Sequence, residues 1–253
     1  MTSSDRPEYV GYLYAHFKRE SADGEQIYFA VSDGNDPLHF RELNDGTPVL
    51  CSTLGERGVR DPHLVRSPEG QDGYLVHWSS TLYDNPEHEG ASYNRIMCAT
   101  TRDFREFSEP RVWIDRGWQT IDATVIDHEG VYYRILKDER SRSGDAPLGK
   151  SIFSETSTSL TAADWKSLAE GIGLGTIVQG EGPLVYKSNT EEKWYLWIDE
   201  FTPQRRYVPF ETTDLAGGRW IPSQDYRLPT DPCHGVVLPV TAEECDRLRT
   251  AWT

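Results

Sequence analysis

Short runs of apolar and aromatic residues follow one another along the whole chain, broken by Gly, Asp, Asn and Pro. At this length, alternating or unbroken apolarity reads as β-strand. The runs recur in a fixed order. GYLYAHF (11–17), GYLVHWSS (73–80), VYYRILKD (131–138) and KWYLWIDEF (193–201) align on Tyr12, Tyr74, Tyr132 and Tyr195. Each is followed by another strand: QIYFAVSD (26–33), RIMCATTRD (95–103), KSIFSETS (150–157) and RYVPFETTD (206–214). Each of these turns into an aromatic, at Phe40, Phe107, Trp165 and Trp220. Before a strand of the first kind stands a further short one: DPHLVRSP (61–68), DATVIDHEG (122–130) and EGPLVYKSN (181–189), with HGVVLPV (234–240) at the end of the chain.

Four strand elements repeating about every 60 residues predict an all-β chain in which each unit is a β-propeller blade. Four blades are counted. The N-terminal unit lacks its first strand and 234–240 supplies one, so pairing of the two ends would complete a blade and close the ring without open sheet edges. Beyond it, TAEECDRLRTAW predicts a short helix, with Thr241 and Glu244 placed for a capping box and Leu248 and Trp252 on one apolar side. Residues 81–94 and 139–149 read as polar loops. Nothing marks a boundary, so 1–253 is expected to be one propeller domain.

Charge narrows the partners. With 26 Lys and Arg against 41 Asp and Glu, the net charge is −15, which repels phosphate backbones and argues against nucleic acid. No apolar run is long enough for a membrane helix, and MTSSDRPEYV has neither the basic nor the apolar part of a secretion signal. Cys51, Cys98, Cys233 and Cys245 form no CxxC pair and read as free thiols of a reducing compartment, so a cytoplasmic location is expected and no membrane partner. Eight Trp and 13 Tyr suit sheet faces and also sugar-binding clefts.

The candidate chemistry sits at one register of the repeat. Asp61, Asp122, Glu181 and His234 each open an innermost strand. Equivalent ends of inner strands meet on one face of a propeller, so three carboxyls and an imidazole should converge. Asp is also a common turn former before strands, but charges at the same register in every unit point to a site. Like charges brought together push their pKa values apart.

GVRDPHLVRSPEG (58–70), TIDATVIDHEGVYYRILKDE (120–139), QGEGPLVYK (179–187), YVPFETTDLAGGRW (207–220) and HGVVLPVTAEE (234–244) resemble glycoside hydrolase family 43, and within it the α-L-arabinofuranosidase and β-xylosidase-like members. The resemblance implies an exo-acting, inverting glycosidase on a small oligosaccharide or glycoside. By that resemblance Asp61 is the general base that activates water, Glu181 the general acid, and Asp122 the residue that orients Glu181 and raises its pKa. Inversion asks for one protonated and one ionised carboxyl about 6.5–9.5 Å apart. His234 matches a channel histidine that can meet an ion or ordered water. No cofactor is expected to be required, and a structural calcium or other ion in the channel stays possible. His16 and Phe17 are the foremost candidates for sugar contact, with Trp78 and His234 beside them. Arg134, Lys137, Asp138, Asp199 and Glu200 also follow the site strands and could face the cleft or pack between blades, and Arg60 reads as an ion-pair partner.

In one respect the chain departs from that family. Its members have five blades, and a whole blade separates the RDP motif from the IDA motif. Here RSPEGQDGYLVHWSS runs from the first strand of one unit into the second strand of the next. A propeller that binds carbohydrate without turnover is therefore the alternative. A sugar phosphorylase would need a basic pocket, and no run of Arg or Lys stands near Glu181.

Overall fold

The computed structural model describes residues 7–19, 24–51, 60–64, 74–83, 92–101, 108–109 and 111–252; the side chains of 74–76, 78–83, 92–94 and 101 lie outside that description. In chain order the strands are β1 (Gly11–His16), β2 (Tyr28–Ser32), β3 (Phe40–Glu42), β4 (Tyr74–Tyr83), β5 (Ser92–Thr101), β6 (Arg111–Ile114), β7 (Thr120–His128), β8 (Val131–Asp138), β9 (Ile152–Ser157), β10 (Lys166–Ile172), β11 (Gln179–Lys187), β12 (Trp194–Thr202), β13 (Arg206–Thr212), β14 (Ile221–Pro222) and β15 (Gly235–Val240). The helix α1 (Ala242–Ala251) follows.

The strands form four antiparallel sheets among the described residues: β15-β1-β2-β3, β4-β5-β6, β7-β8-β9-β10 and β11-β12-β13-β14. In three of the sheets the second strand of the unit (β1, β8 or β12) lies between two partners, whereas β4 pairs with β5 alone among the described residues. In β12, Trp194 through Glu200 are all buried, so both of its faces meet protein. The two ends of the chain pair as expected, with Gly11 opposite Val240 and His16 opposite Gly235. A side chain at 235 would meet the Ala15 carbonyl and His16, so this close approach needs glycine.

β11 lies against both β7 and β15, and β7 lies against β4. β7 and β11 begin two residues before Asp122 and Glu181 rather than at them, and these strands and the one that follows His234 are neighbours. Tyr12, Tyr14, Phe40, Tyr186, Trp197 and Tyr207 fill the space between the β1 and β11 sheets. Their rings meet mostly edge to face, as for Tyr14 on Trp197 at 5.2 Å. The buried hydroxyls find backbone partners: Tyr14 donates to the Cys233 carbonyl at 2.9 Å and Tyr207 to the Gly182 carbonyl at 2.8 Å. α1 carries the expected capping box, with Thr241 Oγ1 accepting from the Glu244 amide at 3.4 Å and Glu244 Oε2 accepting from the Thr241 amide at 2.9 Å. Leu248 and Trp252 pack on the cluster of Leu13, Val31 and Val240.

Two expectations change. Residues 61–64 form no strand, so the run opening at Asp61 is not an inner strand where it is described; 65–68 and Phe107 lie outside the described residues. β4 and β5 also extend to Tyr83 and back to Ser92, into the stretch expected to be loop.

Candidate active site

Asp61, Asp122 and Gly182 hold left-handed backbone conformations, with φ of 51°, 54° and 50°. Asp tolerates that region better than most side chains, and glycine does so freely. The turns coincide with irregular pairing: β7 slips against β8 between Ile121 and Thr124, and β11 slips against β12 between Glu181 and Leu184. A bulge at the same register of two sheets re-aims the side chains there. By register Asp122 corresponds to Gly182, both left-handed, so Glu181 stands one position ahead of the place that Asp122 takes in its sheet, and Gly182 is the residue that lets the second turn form. A Cβ at 182 would collide with the His234 ring.

The four residues come together around His234. Its Nδ1 is 3.0 Å from Asp61 Oδ1. Its Nε2 is 3.6 Å from Glu181 Oε1 and 3.6 Å from Asp199 Oδ2, ion-pair rather than hydrogen-bond distances. Asp122 Oδ2 accepts from the Gly182 amide at 3.0 Å, tying the third acid to the turn that carries Glu181. Asp61 and Glu181 thus flank one imidazole from its two nitrogens. Asp61 is the exposed member, with 64% of its side chain accessible against 25% for Glu181.

Lys137 and Asp199 complete the site, and neither could be assigned from sequence. Lys137, 2% exposed, places Nζ 2.7 Å from Glu181 Oε2 and 2.7 Å from Glu139 Oε2. One cation thus stands beside Glu181, shared with Glu139. Asp199 lies directly across the ladder from Glu181, buried, with Oδ1 lacking a hydrogen-bond partner.

This arrangement overturns the expected protonation of Glu181. Burial would raise its pKa, but the His234 ring and the Lys137 ammonium outweigh it and hold it at about 2. The raised carboxyls are its neighbours. Burial pushes Asp199 up to about 6, helped by the charges of Glu181 and Asp122. Burial likewise raises Asp122, against the pull of His234 and Lys137. Burial alone would discharge His234; its hydrogen bond to Asp61, with Glu181 and Asp122 close by, instead lifts it well above the ordinary histidine value.

Asp122, Glu181 and His234 offer three possible ligand atoms within 4.8 Å of one another. The set fits a cation poorly. Asp61 occupies Nδ1, a charged imidazole has no lone pair for a metal, and the Lys137 ammonium already sits on Glu181.

The other expected contacts divide. Phe17 adjoins the site, its ring edge-on to His234 at 6.0 Å. His16 does not reach a cleft. It is fully buried between Tyr14 and Tyr28, with Nδ1 3.0 Å from the Phe17 carbonyl, and burial lowers its pKa to about 3. Strand position predicted nearness to the site but not the aromatic sandwich that covers the ring. The Trp78 side chain lies outside the described residues. Arg134 is buried against Glu155 and the ring of Trp165, away from the acids, and Glu200 is held by Arg205 and the Val178 amide. Asp138 binds Arg140. Arg60 is an ion-pair partner, 3.5 Å from Glu25.

A family model described as "Probable glycosyl hydrolase domain", of the family 43-related group, matches residues 7–76 and 70–246. An α-L-arabinofuranosidase of Bifidobacterium longum subsp. longum is 25% identical over 277 residues, spanning 73% of this chain and 26% of that protein. The chain therefore spans about a quarter of that relative's length. The aligned stretch exceeds 253 residues, so the relative holds residues within it that this chain lacks. An endo-1,4-β-xylanase structure from Bacteroides thetaiotaomicron gives a TM-score of 0.50 at 13% identity, covering 91% of this chain and 99% of that one, a likeness of fold alone. The structure of a thermostable family-43 glycoside hydrolase gives 0.44 at 16% identity, covering 88% and 73%.

Proposed function

The chain belongs to the family 43-related glycosyl hydrolases, and from that premise we propose that it is an exo-acting, inverting glycosidase on α-L-arabinofuranosides or β-xylosides, foremost the former. The observation that carries the reading is the meeting of Asp61, Glu181 and Asp122 around His234, with Asp61 and Glu181 on opposite sides of one imidazole. Inversion asks for one acid that activates water and another that protonates the leaving oxygen, and these two carboxyls meet the ring at different nitrogens. Asp61, the exposed acid, takes the proton of the attacking water. Glu181 protonates the leaving oxygen. Asp122 holds the Gly182 turn and so aims Glu181. Phe17, Trp78 and His234 are the sugar contacts, and the small glycoside is the partner.

The four sheets are taken as blades of one propeller over 1–253, closed by the β1–β15 pair, with the inner strands β7, β11 and β15 about its axis. The family match breaks and restarts within 70–76, where the sequence runs from one unit into the next, which supports the loss of a blade there. Lys137 and His234 supply the positive charge that an ion would bring, so no metal is required. Four free cysteines, three of them buried, support a cytoplasmic setting.

A second reading has its own observation. Lys137 holds Glu181 ionised, as it would in a propeller that binds sugar without turnover. A panel of aryl glycosides separates the two. The glycosidase reading expects aryl α-L-arabinofuranoside or β-xyloside hydrolysis that Asp61→Asn abolishes on every leaving group. It also expects Glu181→Gln to impair chiefly the poor leaving groups. Sugar binding with no hydrolysis by the unaltered chain would favour the second.

A further inference from the structure

A second cleft lies at the far end of the same sheets. β11 carries Glu181 near its start and ends at Lys187, about 20 Å further on at roughly 3.3 Å per residue. The hairpin that follows it and the 35–39 turn after β2 enclose a cleft of about 550 Å³, with β14 on a third side. Clefts that take small molecules run from about 300 to 1,000 Å³.

Phenols lead to it ring to ring, Tyr12 to Tyr186 at 5.6 Å and Tyr186 to Tyr195 at 5.4 Å. The protein satisfies the first two. The Tyr12 oxygen accepts from the Asn189 amide, and Tyr186 donates to the Pro37 carbonyl. The Tyr195 hydroxyl makes no hydrogen bond among the described residues, although the residue is only 5% exposed and lines the cleft. A buried tyrosine ordinarily finds a partner for its hydroxyl, so this one is aimed at something that enters from outside.

Its surroundings say what. Burial raises the Tyr195 pKa, and the charges of Glu211, Glu191 and Asp36 raise it further. Asp36 is already engaged, by the Leu38 amide at 2.9 Å and by His39 Nδ1 at 3.0 Å. Glu211 gives one oxygen to Lys193 at 2.8 Å and leaves the other open. Glu191 stands exposed at the rim. Ile221, 62% exposed, and Pro222 form an apolar wall. The cleft therefore suits a ligand that donates hydrogen bonds on one side and shows carbon–hydrogen surface on the other. A metal ion fits worse, because among the described residues three ligand atoms close enough for one occur only at Asp122, Glu181 and His234. An ammonium group would compete with Lys193, whose Nζ already holds Glu211 and lies 5.6 Å from the centre of the Tyr195 ring. Neutral hydroxyls bring no charge to desolvate.

We propose that this cleft is a second saccharide site, which holds a neutral sugar chain by its hydroxyls at Tyr195, Glu191 and Glu211 while Ile221 and Pro222 meet its carbon face. It anchors a glycan and takes no part in cleavage. The choice of a pentose chain as ligand rests on the glycosidase reading above; the cleft and its unpartnered hydroxyl do not.

Xylotriose and arabinotriose are titrated separately into the ¹⁵N-labelled Asp61→Asn chain, so that neither is hydrolysed. The expectation is a saturable shift of the backbone amide signals of 35–39, 188–193 and 224–225, distinct from any at 180–182 or 235. Tyr195→Phe removes only an oxygen that the protein does not use. The melting temperature should therefore hold while binding at the cleft weakens roughly fivefold, the size of one hydrogen bond. Glu191→Gln, at the exposed rim, should weaken it in the same direction and gives a second reading should the first variant fold poorly. Both variants should hydrolyse small aryl glycosides as the unaltered chain does. Shifts confined to 180–182 and 235, no saturation by either triose, or a cleft affinity unmoved by Tyr195→Phe overturns the proposal. So does an equal response to glycerol, which marks a site for any polyol, or a response to spermidine alone, which marks a cation cleft. Failure of the glycosidase reading shows separately, as no aryl glycoside cleaved while the cleft still binds.

Discussion

Glu181 and Asp199 stand directly opposite each other on neighbouring antiparallel strands, and a single nitrogen of His234 lies 3.6 Å from a carboxyl oxygen of each. One carboxyl is pulled down to about 2 and the other pushed up to about 6. Two acids opposite one another on the ladder thus differ because Lys137 reaches Glu181 while burial governs Asp199.

Asp199 therefore carries a stability signature. Its folded pKa lies above the ordinary carboxyl value, so the folded state binds more protons than the unfolded one between about pH 4 and 6, and stability from this group falls as pH rises through that window. Asp199→Asn removes this slope. Denaturant unfolding of the two forms should diverge in favour of the variant between pH 4 and 7, by roughly 1–3 kcal/mol at 1.36 kcal/mol per unit. Parallel curves would show that Asp199 titrates normally.

Gly182→Ala tests the turn. The position has φ of 50°, and a methyl group there meets the His234 ring, so backbone strain and collision act together. The expected cost is about 1–3 kcal/mol of stability, with activity falling further than stability explains because His234 must move. Near-normal turnover and an unmoved melting temperature would mean that the turn does not set the site.

Asp122→Asn separates charge from shape. The amide oxygen of Asn can still accept from the Gly182 N–H, so the turn should persist. The lost negative charge removes a repulsion that favours a proton on Glu181. The alkaline limb of kcat/KM should then move to lower pH by about one unit, with a fall in kcat. An unmoved limb with normal turnover would leave Asp122 a turn residue only.

Much of this was legible in the chain. Strand order, the pairing of the two ends and the capping box at Thr241 follow from local periodicity and spacing, which neighbouring residues largely decide. The convergence of Asp61, Asp122, Glu181 and His234 was legible in outline from their recurrence near the inner segments, but the equal register was not, because Gly182 rather than Glu181 takes the position of Asp122. Lys137 was not, because its meeting with Glu181 joins β8 to β11, and no local pattern says which long side chain crosses between sheets. The same limit hid the burial of His16. Alternation along β1 sets the side a residue takes, but not that Tyr14 and Tyr28 close over it. Asp61 kept its place beside His234 although residues 61–64 form no strand, because its link to the site is the 3.0 Å contact with the ring.

Glycosidic cleavage with inversion is the central claim, and the anomer first released tests it most directly. Aryl α-L-arabinofuranoside and aryl β-xyloside are incubated with the chain inside an NMR tube, and the sugar's anomeric proton is followed before mutarotation. The account predicts release of the β-arabinofuranose or α-xylose form first, at a rate that Asp61→Asn reduces to background. Release of the same anomer as the substrate, or no release above the level of the Asp61→Asn variant, would contradict it.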